Sequence, residues 1–183
     1  DADVATLESA LEQVDNHEGP VPGPDRIVVE SEGRDIVLDA AFGHKANETI
    51  GRLLSALIGQ RTGSSVGLDV DPYRISLEVP QNVSGTDAVK VLETTDPAHV
   101  EGLIELSLKN AEALKFRVAQ VAAKFGSLKR WRGRGSQRFG RDRLLSALEG
   151  TPIYEEAIRE LTHENLAIER ASQMLERIQF GDL

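Results

Sequence analysis

"ANETIGRLLSALIGQRTGSSVGLDVDPYRISLEV", residues 46–79, carries two hydrophobic periods side by side. In its first half Ile50, Leu53, Leu54, Leu57 and Ile58 recur at helical spacing, which predicts a helix over Ala46–Arg61. Gly63 follows, where a helix can close on a left-handed residue. In the second half the period drops to two, with Val66, Leu68 and Val70, then Ile75, Leu77 and Val79. Asp71-Pro72 suits a turn between them, so Ser65–Val70 and Arg74–Val79 are expected to form a hairpin. Upstream, Arg26–Ser31 and Asp35–Ala40 are rich in Ile, Val and Leu and meet around Glu32-Gly33, a second hairpin signal. The order ββαββ predicts an antiparallel sheet with one helix on its face.

The rest of the chain reads as helix. Asp3–Val14 places Leu7, Leu11 and Val14 on one face, and "HEGPVPGPD" after it is a Pro/Gly linker. Beyond Pro80, Ser84 with Asp87 three residues on signals a capped helix ending near Thr94. Asp96-Pro97 is an N-cap followed by proline at the first helical position. Helices are predicted over Pro97–Asn110, Ala111–Phe125, Arg141–Leu148, from Thr151-Pro152 onward, and over Leu166–Ile178. The fold class is therefore α+β. Residues 1–22 form an N-terminal helix and linker, 23–80 the sheet region, and 81–183 a C-terminal helical subdomain, together one compact domain. The opening Asp-Ala-Asp, without methionine, is expected to be an internal point of a longer chain.

Composition excludes several classes. No apolar run approaches the roughly 20 residues that span a bilayer, so no membrane partner is expected. Cysteine is absent, which removes disulfide and thiolate chemistry and fits a cytoplasmic protein. There is no GxxxxGK[ST] phosphate loop, and the four histidines show no metal-ligand spacing. "DVDPYR" begins like a calcium loop but lacks its glycine and terminal glutamate. No nucleophile elbow or triad signature appears, so no catalytic residue, cofactor site or metal site is assigned in this chain.

The charge is unevenly placed. The formal net charge is -9, from 30 acids against 21 bases, and only six of the bases are lysines. An acidic, lysine-poor surface suits a halophile's cytoplasm, where salt screens self-repulsion. Yet ten bases and one acid, Asp142, fall between Lys115 and Arg143, a local net of +9. The segment "KRWRGRGSQRFGRDR", 129–143, interleaves Lys129, Arg130, Arg132, Arg134, Arg138, Arg141 and Arg143 with Trp131 and glycines. Arginine forks match phosphate. A flat ring stacks on an unpaired base, and glycine lets backbone approach a ligand closely. Lys115, Arg117 and Lys124 on the preceding helix extend the track, while Phe116 and Phe125 are expected in the core. The segment thus points to nucleic acid, with charge pairing inside the fold or to a protein partner as the other reading.

Residues 39–80 resemble the DEAD/H-associated region of large helicase-related (Lhr) superfamily 2 helicases. The pattern Phe-Gly-x-(Lys/Arg)-x-Asn opening a helix, then Asp-x-Tyr before a strand, is matched by Phe42, Gly43, Lys45, Asn47, Asp71 and Tyr73. "LKFRVAQVAAKFGSLKR", Gln137-Arg138 and "TPIYEEAIRE" continue the likeness. Asp39 departs from it, since histidine is expected there. The resemblance implies an archaeal ATP-dependent helicase whose motor domains, outside this chain, use ATP and Mg. It implies a winged-helix module before this region, and 3′ to 5′ movement on DNA or RNA–DNA. The partners it implies are single-stranded DNA or a DNA/RNA duplex junction, and the motor and winged-helix domains of the same chain. The alternative it leaves is a docking module that packs on the motor domains without touching nucleic acid.

Overall fold

The computed structural model describes residues 20–109, 111–126 and 137–183. The expected helix Asp3–Val14 lies outside them, as do Lys129, Arg130, Trp131, Arg132 and Arg134. Four strands, β1 (Val28–Glu32), β2 (Asp35–Asp39), β3 (Gly67–Val70) and β4 (Arg74–Glu78), form one antiparallel sheet in the order β1-β2-β4-β3. Both predicted hairpins form, and they join through β2 and β4, with Leu38 opposite Ile75 and Ile36 opposite Leu77. The first turn contains Gly33 at φ +60, a conformation that glycine adopts without a Cβ penalty.

Helix α1 (His44–Thr62) crosses the sheet, two residues longer at its start than its apolar period suggests. It ends on Gly63 in the left-handed region, whose N–H donates to the Gly59 carbonyl. Seven further segments complete the described helices: α2 (Gly85–Thr94), a 3-10 turn (Pro97–His99), α3 (Val100–Lys109), α4 (Glu112–Lys124), α5 (Gln137–Leu148), α6 (Pro152–Asn165) and α7 (Ile168–Phe180). The capping signals hold. Ser84 and Asp87 form a reciprocal capping box, Asp96 accepts from the Ala98 N–H, and Thr151 Oγ1 accepts from the Tyr154 N–H. The expected single helix on the sheet has company. α2 also reaches β1, where Gly85 lies against Val29 and Ser31 so closely that an added Cβ would meet them at 3.3 Å.

The apolar residues separate into two cores. The larger unites sheet residues Ile36, Leu38, Ile75, Leu77 and Val79 with α1, α2, α3 and α7. The smaller joins Leu114, Val118 and Val121 of α4 to Tyr154, Ala157 and Leu161 of α6, with α5 leucines against it. The chain leaves the first core after Leu108, builds the three-helix unit α4–α6, and returns at Leu166. The Ala167 N–H donates to Thr49 Oγ1 of α1 at 3.0 Å and fixes that return.

The motif residues explain how the sheet end is closed. Asn47 is fully buried in the first turn of α1. Its Nδ2 donates to the Ala40 carbonyl at 2.7 Å and the Asp71 carbonyl at 3.0 Å. Both neighbours are acceptors, so only the amide NH2 can face them. The side chain therefore stitches the end of β2 to the β3–β4 turn. Gly43, at φ +86, brings its N–H to the Pro72 carbonyl beside this stitch. Asp71 Oδ1 accepts from the Tyr73 N–H at 2.7 Å, which shapes the turn itself. The turn carboxylate is thus used locally.

Asn47→Ala is expected to cost about 1–3 kcal/mol, since it orphans buried carbonyls. Asn47→Asp should cost more at neutral pH, because an ionised carboxylate has no hydrogen to donate and would face two carbonyl oxygens. Urea denaturation of the three proteins checks this. Two variants as stable as the parent would show that the stitch is dispensable.

Candidate nucleic-acid interface

The basic segment is rooted in two helices of the smaller core. In α4, Leu114, Val118, Val121 and Ala122 face inward and are buried. That leaves Lys115 and Arg117 on the flanks of the buried stripe, and Lys124 in the last turn. Each meets a carboxylate of its own fold. Lys115 Nζ lies 2.6 Å from Asp142 Oδ1, which ties α4 to α5. Arg117 Nη1 and Lys124 Nζ each lie 3.0 Å from Glu160, on its Oε2 and Oε1 respectively, which ties α4 to α6. The two arrangements differ in exposure. The Lys115 and Arg117 side chains are 18% exposed, whereas Lys124 is 63% exposed. Only Lys124 among the three keeps most of its surface in water.

Glu160 is the node of this clasp. Hydrogen bonds from Lys124 and then Arg117 hold its carboxyl below the ordinary carboxylate range. No local pattern in the chain marks it, because its partners lie 36 and 43 positions away. The sequence placed Lys115, Arg117 and Lys124 in one positive track, and their acid partners are visible only in three dimensions.

Two aromatic expectations are corrected. Phe116 and Phe125 were expected in the core and are exposed, by 54% and 64%. Phe116 sits two residues from Leu114, about 200° around the helix, which points it away from the buried stripe. Phe125 is the C-cap residue of α4, past its last turn. Of the C-terminal cations, Arg143 is exposed and Arg141 half-buried on α5. That helix begins at Gln137, four residues before the expected Arg141. Arg138 belongs to α5, but its side chain lies outside the described residues. The described cations therefore frame residues 127–136 on both sides: α4 ends just before them, α5 starts just after, and Lys115–Asp142 links the two helices.

Two further ion pairs lie in the sheet. Asp39, the position that departs from the motif, pairs with Arg74 opposite it in the sheet register at 3.0 Å. Arg34 pairs with Glu78 at 3.2 Å across the sheet end. Among the described residues no group of three or more His, Asp or Glu is placed to hold a metal ion. No helix among them is long and apolar enough to cross a membrane.

Fold and motif together define a known class of helicase-associated domain. Residues 21–183 match the DEAD/H associated family, and the chain belongs to it. It is 26% identical over 182 residues to the ATP-dependent helicase Lhr-Core of Saccharolobus solfataricus, covering 92% of this chain and 21% of that protein. It is 28% identical over 158 residues to the Lhr-Core helicase of Methanothermobacter thermautotrophicus, covering 81% of this chain and 18% of that one. The chain thus spans about a fifth of the length of these curated relatives. A solved structure of Mycobacterium smegmatis helicase Lhr bound to ssDNA and AMP-PNP has the same fold. The TM-score is 0.76 at 18% identity, over 97% of this chain and 24% of that one.

The lowered Glu160 carboxyl gives the α4–α6 clasp a signed pH dependence. Its contribution to stability is complete above the ordinary carboxylate pKa and disappears as pH falls through the lower folded-state value. Thermal melts of the parent and Glu160→Gln should differ at neutral pH and converge in acid. A gap that stays constant down to acid pH would remove the ion pairs as its source.

Proposed function

We propose that this chain is an accessory domain of an ATP-dependent helicase that grips a nucleic acid strand or strand junction through residues 129–143. The supporting observation is the segregation of charge: +9 between Lys115 and Arg143 inside a chain of net -9. The family supports the helicase context, and the ssDNA in the Mycobacterium smegmatis Lhr structure supports DNA as the polymer. In this reading Lys129, Arg130, Arg132, Arg134, Arg138, Arg141 and Arg143 contact phosphates, and Trp131 stacks on a base or wedges at a junction. Lys124, exposed, can exchange Glu160 for a phosphate. Lys115 and Arg117 add field and hold the helices from which the segment departs. ATP and Mg belong to motor domains beyond these residues, and the 3′ to 5′ polarity belongs to the motor as well.

A filter-binding titration against single strands tests the assignment across a range of salt. Replacing Arg130, Arg132 and Arg134 by alanine should weaken binding. It should also flatten the plot of log affinity against log salt by about 2, since each phosphate contact on a single strand contributes about 0.7. Trp131→Ala should instead weaken binding by about 1–3 kcal/mol with the slope unchanged. Unaltered affinity and slope in the triple variant would defeat the site.

A further inference from the structure

We propose that the strand site takes an unpaired base, and that Phe125, at the C-terminal end of α4, stacks on it. The inference deepens the reading of this chain as a nucleic-acid-binding accessory domain and rests on that reading.

Position and packing set Phe125 apart. It lies four residues after Val121 and three after Ala122, so it continues the inward stripe of Leu114, Val118 and Val121. The stripe outruns its cover. Phe125 is 64% exposed and joins neither core among the described residues. Its backbone is held all the same. The Phe125 N–H donates to the Val121 carbonyl at 3.0 Å, and the Gly126 N–H donates to the Ala123 carbonyl at 3.1 Å. Gly126, at φ +71, closes the helix in the left-handed region. The ring is therefore carried on fixed backbone, and its side chain has only two torsions to order on contact.

Exposed rings are ordinary by themselves. Tyr73 and Phe180 are more exposed, at 72% and 80%, but each has a carboxylate two residues away, Asp71 and Asp182. From Ala113 to Arg141 the chain holds no acid, although it holds 30 in all. Phe116 shares that stretch, but the cations beside it, Lys115 and Arg117, are part-buried against Asp142 and Glu160. Beside Phe125 stands Lys124, whose side chain is 63% exposed. Its partner Glu160 is also held by Arg117, so a phosphate that drew Lys124 away would leave that carboxylate paired. An uncovered ring next to a solvated cation suits a ligand with flat faces and negative charge. The unpaired state follows from geometry. In a duplex both faces of each base are covered by its neighbours, and a ring reaches only the ends. In a single strand a face is open, and every base offers one whatever the sequence.

Titrations of this chain with three probes test the inference: a single-stranded oligonucleotide, the same strand with abasic residues, and a blunt duplex of the same sequence. Phe125→Leu keeps apolar bulk and removes the ring. It should weaken single-strand binding by about 5–100-fold. The slope of log affinity against log salt should stay unchanged, because stacking neutralises no phosphate. Phe125→Tyr should bind as the parent does. The parent and Phe125→Leu should bind the abasic strand equally, and likewise the duplex, and they should melt alike. Equal binding of the intact single strand by these two proteins would overturn the inference. So would an equal loss on the abasic strand, which means that the ring acts on the backbone contacts or on the fold. Loss in the triple arginine variant without loss in Phe125→Leu leaves the arginine site standing and removes the stack. A chain with no affinity for any strand overturns both.

Discussion

The fold depends on how closely α1 lies against its sheet. At Gly51 the helix meets the sheet side chains directly: an added Cβ would stand 2.6 Å from Leu68 Cδ1 and 3.1 Å from Ile75 Cγ2, so the Leu68 side chain would have to move. That approach lets Ile50, Leu53, Leu54 and Ile58 reach full burial, where burying each large aliphatic side chain contributes about 1.5–3 kcal/mol. The helix is a wall shared by several neighbours. Asn47 locks its first turn to two sheet ends, and Thr49 receives the chain as it comes back to α7. The position of α7, and so the return point of the helical unit, follows from the placement of α1.

The second core has a different logic. Its buried set is small, and it is framed by ion pairs that join α4 to α5 and α6. Exposed salt bridges contribute little, about 0–1 kcal/mol each. These pairs matter more for geometry, because the part-buried Lys115 ties the first turn of α4 to α5 and Arg117 ties α4 to α6. The positively charged stretch is carried between those two helices. The sheet core supplies the platform, and the helical unit carries the charge.

Most of the architecture was legible because it rests on local chemistry. The helix and hairpin of residues 46–79 follow from period, turn and cap, and Ser84, Asp96 and Thr151 mark their helix starts without ambiguity. What was not legible is long-range. The order β1-β2-β4-β3 joins residues about 40 positions apart, such as Ile36 and Leu77, and no local pattern names the partner. The exposure of Phe116 shows the same limit from the other side. Period and position mark its helix, but which stripe turns inward depends on where α6 lies. Glu160 is hidden in the sequence for the same reason, since two cations close in sequence give no sign of one distant acid facing both.

The internal pairs also bear on how the positive stretch can act. An acid node at Glu160 offsets part of the charge on α4, so the +9 of the sequence overstates the field at that helix. Salt screening acts unequally on what remains. Part-buried pairs such as Arg117–Glu160 are screened weakly, whereas exposed guanidinium groups lose their reach within about 8–10 Å at moderate ionic strength. As salt rises, long-range attraction of a strand fades while the frame holding α4 against α6 persists. In the reading proposed above, a strand contact that survives such conditions is short-ranged, made by bidentate arginines and a stacked ring rather than by net charge. Residues 129–143 have that composition, with six arginines and one tryptophan set among glycines.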